Sequence, residues 1–167
     1  VSSISFFELE AFANQIWLFG SSPTGPLLLK SSDGATWDAV ATPAWETSAD
    51  GVETVSTPER LVVLASLSGD DGTYAWSTTD GSAWSISNAA LPFNTMAEGP
   101  DMTYANGALW AFGIPAGETF QAFYKSTDWG NSWSQVTTNL PTNQSNNPYE
   151  LLDLASHPLL LYASDNG

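Results

Sequence analysis

The chain has 167 residues, 43% of them apolar and including eight Trp and eight Phe, enough to bury one substantial core and to exclude a disordered polypeptide. Eighteen acidic residues against Lys30, Arg60 and Lys125 leave a formal charge of −15, a surface that repels phosphate backbones and anionic membranes and excludes nucleic acid as a partner. The absence of Cys excludes a disulfide framework or thiolate site, and the apolar stretches Leu61 to Ala65 and Pro158 to Ala163 are too short to cross about 30 Å of hydrocarbon as a helix, so no membrane insertion is expected.

In chain order, short apolar or alternating runs are cut by Gly, Pro, Asn and Ser clusters, a pattern of strands with no helical stripe. The first group predicts strands at Phe6 to Phe12, Gln15 to Phe19, Leu27 to Ser31 and Thr36 to Ala41. The second predicts Val52 to Ser56, Leu61 to Ser66, Tyr74 to Thr78 and Ala83 to Ser87, and the third Asp101 to Tyr104, Ala108 to Gly113, Ala122 to Ser126 and Ser132 to Thr137. Leu151 to Ala155 and Leu159 to Ala163 begin a fourth group, which stops before it can repeat in full. Trp17, Trp76 and Trp110 fall within predicted strands and are expected to pack between sheets, whereas Trp129, in a turn, is expected to be the most exposed indole.

The groups are copies of one unit. After its third strand each carries an Asp-bearing segment: Ser31-Ser32-Asp33-Gly34-Ala35-Thr36-Trp37, Thr78-Thr79-Asp80-Gly81-Ser82-Ala83-Trp84 and Ser126-Thr127-Asp128-Trp129-Gly130-Asn131-Ser132-Trp133. The Asp-to-Asp spacings are 47 and 48 residues. Asp-Gly between strands predicts a two-residue hairpin turn with positive φ at both positions, and the extra Trp129 predicts a longer loop with Gly130 left-handed. Asp33, Asp80 and Asp128 are expected to accept hydrogen bonds within their own loops, assisted by Ser31, Thr78 and Ser126, and Trp37, Trp84 and Trp133 to pack beneath the turn.

These segments resemble the Asp-box, or BNR, repeat, Ser-x-Asp-x-Gly-x-Ser/Thr-Trp. Ser126 to Trp133 meets the full pattern; the other two are one residue short, and the second has Ala83 where Ser or Thr is usual. The resemblance implies an all-β fold, a β-propeller of about 3.5 four-stranded Asp-box blades near residues 1–46, 47–97, 98–147 and 148–167, either an open arc or an arc completed by other chains. Such repeats occur in sialidases, xyloglucan-cleaving glycoside hydrolases, sortilin-like receptors, photosystem assembly factors and secreted bacterial propellers. The resemblance also implies a secreted or cell-surface location and places the box away from the ligand face. The start at Val1, without Met or a leader, reads as a processed protein or an excised fragment.

On a propeller the ligand face would be built by loops within residues 20–26, 41–51, 66–73, 88–100, 113–121 and 138–149. Aromatic and acidic residues there, Trp45, Glu46, Asp70, Asp71, Phe93, Glu118 and Tyr149, can stack on sugar rings and accept hydroxyl hydrogen bonds. No catalytic constellation emerges: the single Arg60 cannot form the arginine cluster of a sialidase, no carboxylate pair stands out by spacing, and His157, placed in a turn, has no second His beside it. Gly69-Asp70-Asp71-Gly72 is a polar turn whose oxygens could hold calcium, the one cofactor considered, and Asn143-Gln144-Ser145 is a glycosylation sequon. The leading expectation is a non-catalytic extracellular scaffold or recognition module for a protein or carbohydrate. The alternatives are a fragment of a secreted glycoside hydrolase and a subunit of an extracellular assembly, self-associating through the edge of the incomplete unit.

Overall fold

A computed structural model describes residues 4–43, 45–46, 52–67, 72–94, 102–115, 117–118, 121–137, 149–154 and 157–163. These residues form strands and turns and no helix. The first sheet contains β1 (Ser5–Phe12), β2 (Gln15–Ser22), β3 (Gly25–Ser31) and β4 (Asp38–Val40), antiparallel in chain order. The second contains β5 (Trp45–Glu46), β6 (Glu53–Ser56), β7 (Leu61–Leu67), β8 (Thr73–Thr78) and β9 (Ser85–Ile86). The third contains β10 (Phe93–Asn94), β11 (Met102–Ala105), β12 (Ala108–Pro115), β13 (Ala122–Ser126) and β14 (Ser134–Val136), and β15 (Tyr149–Leu154) pairs with β16 (His157–Ala163).

In the second and third sheets the first strand is broken in two: β5 and β6 both pair with β7, and β10 and β11 both pair with β12. Trp45, Glu46 and Phe93 therefore belong to sheet edges rather than free loops, and His157, expected in a turn, opens β16 and pairs with Leu154. The leading strands lie side by side, β1 against β6, β6 against β11 and β11 against β15. Radially repeated four-stranded sheets with adjacent inner strands are propeller-type blades, and the described part of the chain is a partial propeller.

Strand alternation gives each sheet two apolar faces. Trp17, Phe19 and Leu28 on the forward face of the first sheet meet Leu61, Val63, Ala65 and Trp76 on the rear of the second. Val62, Leu64 and Ala75 on the second sheet's forward face meet Leu109, Ala111, Ala122 and Tyr124 of the third. A period-two strand with both faces covered reads as a continuous apolar run, and residues 61–65 are 0–2% exposed. Trp110, Phe112 and Phe123 form the forward face of the third sheet.

The Asp-bearing turns depart from the expected two-residue geometry. In the first sheet the last pair before the turn is Lys30 with Asp38, in the second Ser77 with Ser85, and in the third Lys125 with Ser134, so each connection is a wider loop. Gly34 and Gly81 have positive φ (72° and 74°) and their Asp neighbours do not, whereas in the third loop both Trp129 (64°) and Gly130 (84°) are left-handed. Two-residue turns with positive φ at both positions occur instead between the first two strands, at Ala13-Asn14 and Asn106-Gly107. The physical reason is that the Asp side chain supplies a local hydrogen-bond network that closes a wider loop than backbone pairing alone would.

Candidate functional site

Each Asp loop is closed by hydrogen bonds from within. Ser31 Oγ accepts the N–H of Gly34 (2.8 Å) and donates to Asp33 Oδ1 (3.0 Å), which also accepts the N–H groups of Ala35 and Thr36 at 2.8 Å each. Thr78 Oγ1 likewise accepts from Gly81 N–H (2.8 Å), while Asp80 accepts the N–H groups of Ser82 and Ala83 and the Ser82 hydroxyl. In the third loop Ser126 Oγ accepts from Gly130 N–H (2.9 Å), and Asp128 accepts from Ser126 Oγ, Ser132 N–H and Ser132 Oγ. Backbone N–H donors hold the carboxyls of Asp33 and Asp80 down to about 2. At Asp128 burial pushes upward, but the Ser132 and Ser126 donors outweigh it and the carboxyl is lowered.

The loops also join the sheets. A Cβ on Gly81 would overlap the six-membered ring of Trp17 from the preceding sheet, and one on Gly130 would overlap the methyl of Ala75. The Trp17 indole donates to Phe12 O at 3.1 Å, and Trp110, the register equivalent, donates to Ala105 O at 3.0 Å. Opposite each indole stands a lysine: Lys30 Nζ lies 5.9 Å from the Trp17 ring centre and Lys125 Nζ 5.0 Å from that of Trp110. Trp76 packs between sheets one and two from the other face. Trp133 donates its indole N–H to Gly130 O (3.1 Å) and meets Phe93 edge-on, Trp84 packs on the core between the first two sheets, and Trp37 is half-buried.

At the same register the second sheet has Val62 paired with Ser77 in place of a Trp–Lys pair. Ser77 of this pair lines a groove of about 260 Å³ between the second and third sheets, together with Arg60, Ala75, Ser85, Ile86, Ser87, Asp128, Trp129 and Asn131. Arg60 sits at the end of a Thr57-Pro58-Glu59-Arg60 turn, where Thr57 Oγ1 accepts its N–H at 2.9 Å. Its guanidinium donates to Ser77 Oγ (3.2 Å) and lies 5.7 Å from the Trp129 ring centre. Trp129 is half-buried and stacks on Tyr104 at 5.9 Å, so it is not the exposed indole its turn position predicted. Tyr104 of its own sheet and Arg60 of the preceding sheet cover a residue that the local sequence leaves open.

A second polar feature lies along the leading strands. Glu8 and Glu10 are half-buried on the forward side of β1. Burial raises both carboxyls, helped at Glu8 by the charge of Glu10 and opposed at Glu10 by hydrogen bonds from Ser56, whose hydroxyl donates across the sheet junction at 2.8 Å. Glu53 repeats the position one sheet on, accepting the N–H of Met102 at 3.4 Å.

Of the residues expected on a ligand face, the structure describes the surroundings of Phe93 and Glu118 and the strand pairing of Trp45, Glu46 and Tyr149. Phe93 is 3% exposed and packs on Tyr124 at 4.3 Å, with its ring against Gly113, where a Cβ would collide with it. It is a core residue, because the chain re-enters the next sheet at β10 rather than looping free. Trp45 and Glu46 pair with Leu67 and Ser66, and Tyr149 pairs with Ala163. Glu118 is exposed just beyond β12, its N–H bonded to Pro115 O at 3.0 Å. Asp70 and Asp71, and with them the calcium reading, lie outside the described residues, as does Asn143. Among the described residues no group of three or more His, Cys, Asp or Glu could hold a metal ion. The groove was not legible in the repeat because it is lined at positions where the repeat changes, Ser77, Arg60 and Trp129.

No family model matches the chain and no curated protein matches it. One solved structure to which it is similar is described by the statement that the GH130 family of mannoside phosphorylases contains glycoside hydrolases that target beta-1,2 mannosidic linkages in Candida mannan. The TM-score is 0.46 at 13% identity, over 82% of this chain and 50% of that one, so the chain spans half the length of that neighbour.

Proposed function

We propose that this chain is a non-catalytic extracellular recognition module, a scaffold of Asp-box blades that binds a carbohydrate or protein. The observation that carries this reading is the division of polar groups: the carboxylates of the Asp loops are engaged by donors of their own loops, whereas Arg60 forms no ion pair among the described residues and lines a groove. A chain with a charge of −15 whose one arginine is held in a groove keeps a cation where a ligand can use it.

A second reading, a piece of a secreted glycoside hydrolase, rests on Glu8 and Glu10, two half-buried carboxyls with raised pKa on one side of a leading strand. One experiment separates the two. The purified chain is applied to an array of neutral and acidic glycans and, in parallel, incubated with the polysaccharides from which they derive. Recognition predicts binding without release of reducing ends; turnover that disappears in Glu10→Gln would establish the hydrolase reading instead.

A further inference from the structure

Three departures from the internal repeat meet at one place. Aligning the sheets by the Ser or Thr that opens each Asp loop pairs Ile16 with Ser31, Leu61 with Thr78 and Leu109 with Ser126. The next pair is then Trp17 with Lys30, Val62 with Ser77 and Trp110 with Lys125, so the second sheet alone lacks the large pair. The position just before β7 is Arg60 where the other sheets have Gln15 and Ala108. The third Asp loop has one residue more than the others, and that residue is Trp129, a bulky side chain on a left-handed backbone (φ 64°) that such residues rarely adopt. Ser77, which stands where the other sheets have Lys30 and Lys125, lines a groove together with Arg60 and Trp129. The two other Asp loops show that scaffold closure needs neither the extra residue nor its strain.

The polar groups around this groove retain unused valences. The guanidinium has five N–H donors and uses one on Ser77. Asp128 Oδ1 accepts two hydrogen bonds and Oδ2 one, which leaves one acceptor site on Oδ2. Asn131 Oδ1 accepts the N–H of Asn88 at 3.2 Å, leaving the two amide N–H groups as donors. Donors and an acceptor on planar groups beside an indole match adjacent ring hydroxyls, each of which donates and accepts. The ionised Asp128 in the same lining disfavours an anion, and 260 Å³ is at or below the small end of ligand pockets, about 300 Å³, which fits one ring rather than a chain.

We infer that the groove between the second and third sheets binds one hydroxyl-rich pyranose ring of a neutral carbohydrate, the ring lying against Trp129 and its vicinal hydroxyls between Arg60, Asn131 and Asp128. The inference rests on the recognition reading and names its ligand and its site. The test follows the Trp129 indole N–H in two-dimensional NMR spectra of the full chain, titrated with glucose, galactose, mannose and xylose and their disaccharides. The expected result is a saturable shift of that signal by at least one sugar, with affinity reduced about tenfold or more in Arg60→Gln and in Asn131→Ala, and unchanged in Lys125→Gln, a cation away from the groove. The dispersion of each variant's spectrum reports whether it has folded. Sugar-induced shifts that leave Trp129 untouched would overturn the groove and keep the recognition reading. Shifts at Trp129 that Arg60→Gln and Asn131→Ala do not weaken would also overturn it, and no response anywhere to the panel would remove a neutral-sugar ligand altogether.

Discussion

At the scale of single residues, Asp33, Asp80 and Asp128 act through hydrogen bonds that only the ionised carboxylate accepts in full. Their pKa values are below the ordinary 3.8, so the folded state binds fewer protons there than the unfolded chain. The stabilisation is complete above that value and is lost as pH falls from about 4 toward 2. Glu8 and Glu10, raised above 4.5, act in the opposite sense, and stability falls as they ionise with rising pH. Thermal melts of Asp80→Asn should show a midpoint a few degrees below that of the parent at pH 7, the gap closing by pH 2; a gap that persists at pH 2 would show that the charge of Asp80 is not what matters. The role of these carboxylates was legible in the sequence because their partners lie within three or four positions. Phe93 and Trp129 were misread for the converse reason, since their burial is decided by strands far away in the chain.

At the scale of elements, the Asp loop both closes one sheet and seats it on the sheet before it. The glycines were legible as turn residues from their Asp neighbours, whereas their second role depends on Trp17 and Ala75, more than fifty residues earlier. The two roles separate by substitution. Gly34→Ala meets no atom closer than Ile16 Cδ1 at 3.7 Å and should cost about 1–2 kcal/mol, for the left-handed backbone alone. Gly81→Ala and Gly130→Ala add a clash with the preceding sheet and should cost about 2–5 kcal/mol. Urea unfolding of the three variants checks this, and equal losses would mean that the loops do not seat the sheets. Strand positions were legible from alternation, but the fourth strands are shorter than expected, Asp38–Val40, Ser85–Ile86 and Ser134–Val136, because the loop network extends past the Trp that the sequence reading placed inside the strand.

At the scale of the whole molecule, three sheets stack in series through alternate faces, and the order follows from strand alternation: Trp17 and Phe19 look forward from the first sheet and Val62 and Leu64 from the second, while Leu61 and Val63 look back from the second and Leu109 and Ala111 from the third. The rear face of the first sheet is left with Leu9 at 61% and Ile4 at 53% exposure, while the buried apolar side chains gather at the two junctions and on the far face of the third sheet. The repeat made the number of units legible, and the spacing of 47 and 48 residues their size; the groove, built from exceptions to the repeat, was not. Serial stacking is the claim on which the scaffold, the loops' second role and the groove all depend. Nuclear Overhauser spectra test it directly: the Trp17 ring protons should show cross-peaks to the Gly81 Hα protons, shifted upfield by the indole, and the Gly130 Hα protons should show cross-peaks to the Ala75 methyl. If both pairs of cross-peaks are absent in the folded chain and Trp17 reports contacts to its own sheet only, the sheets do not stack in this order and the account fails.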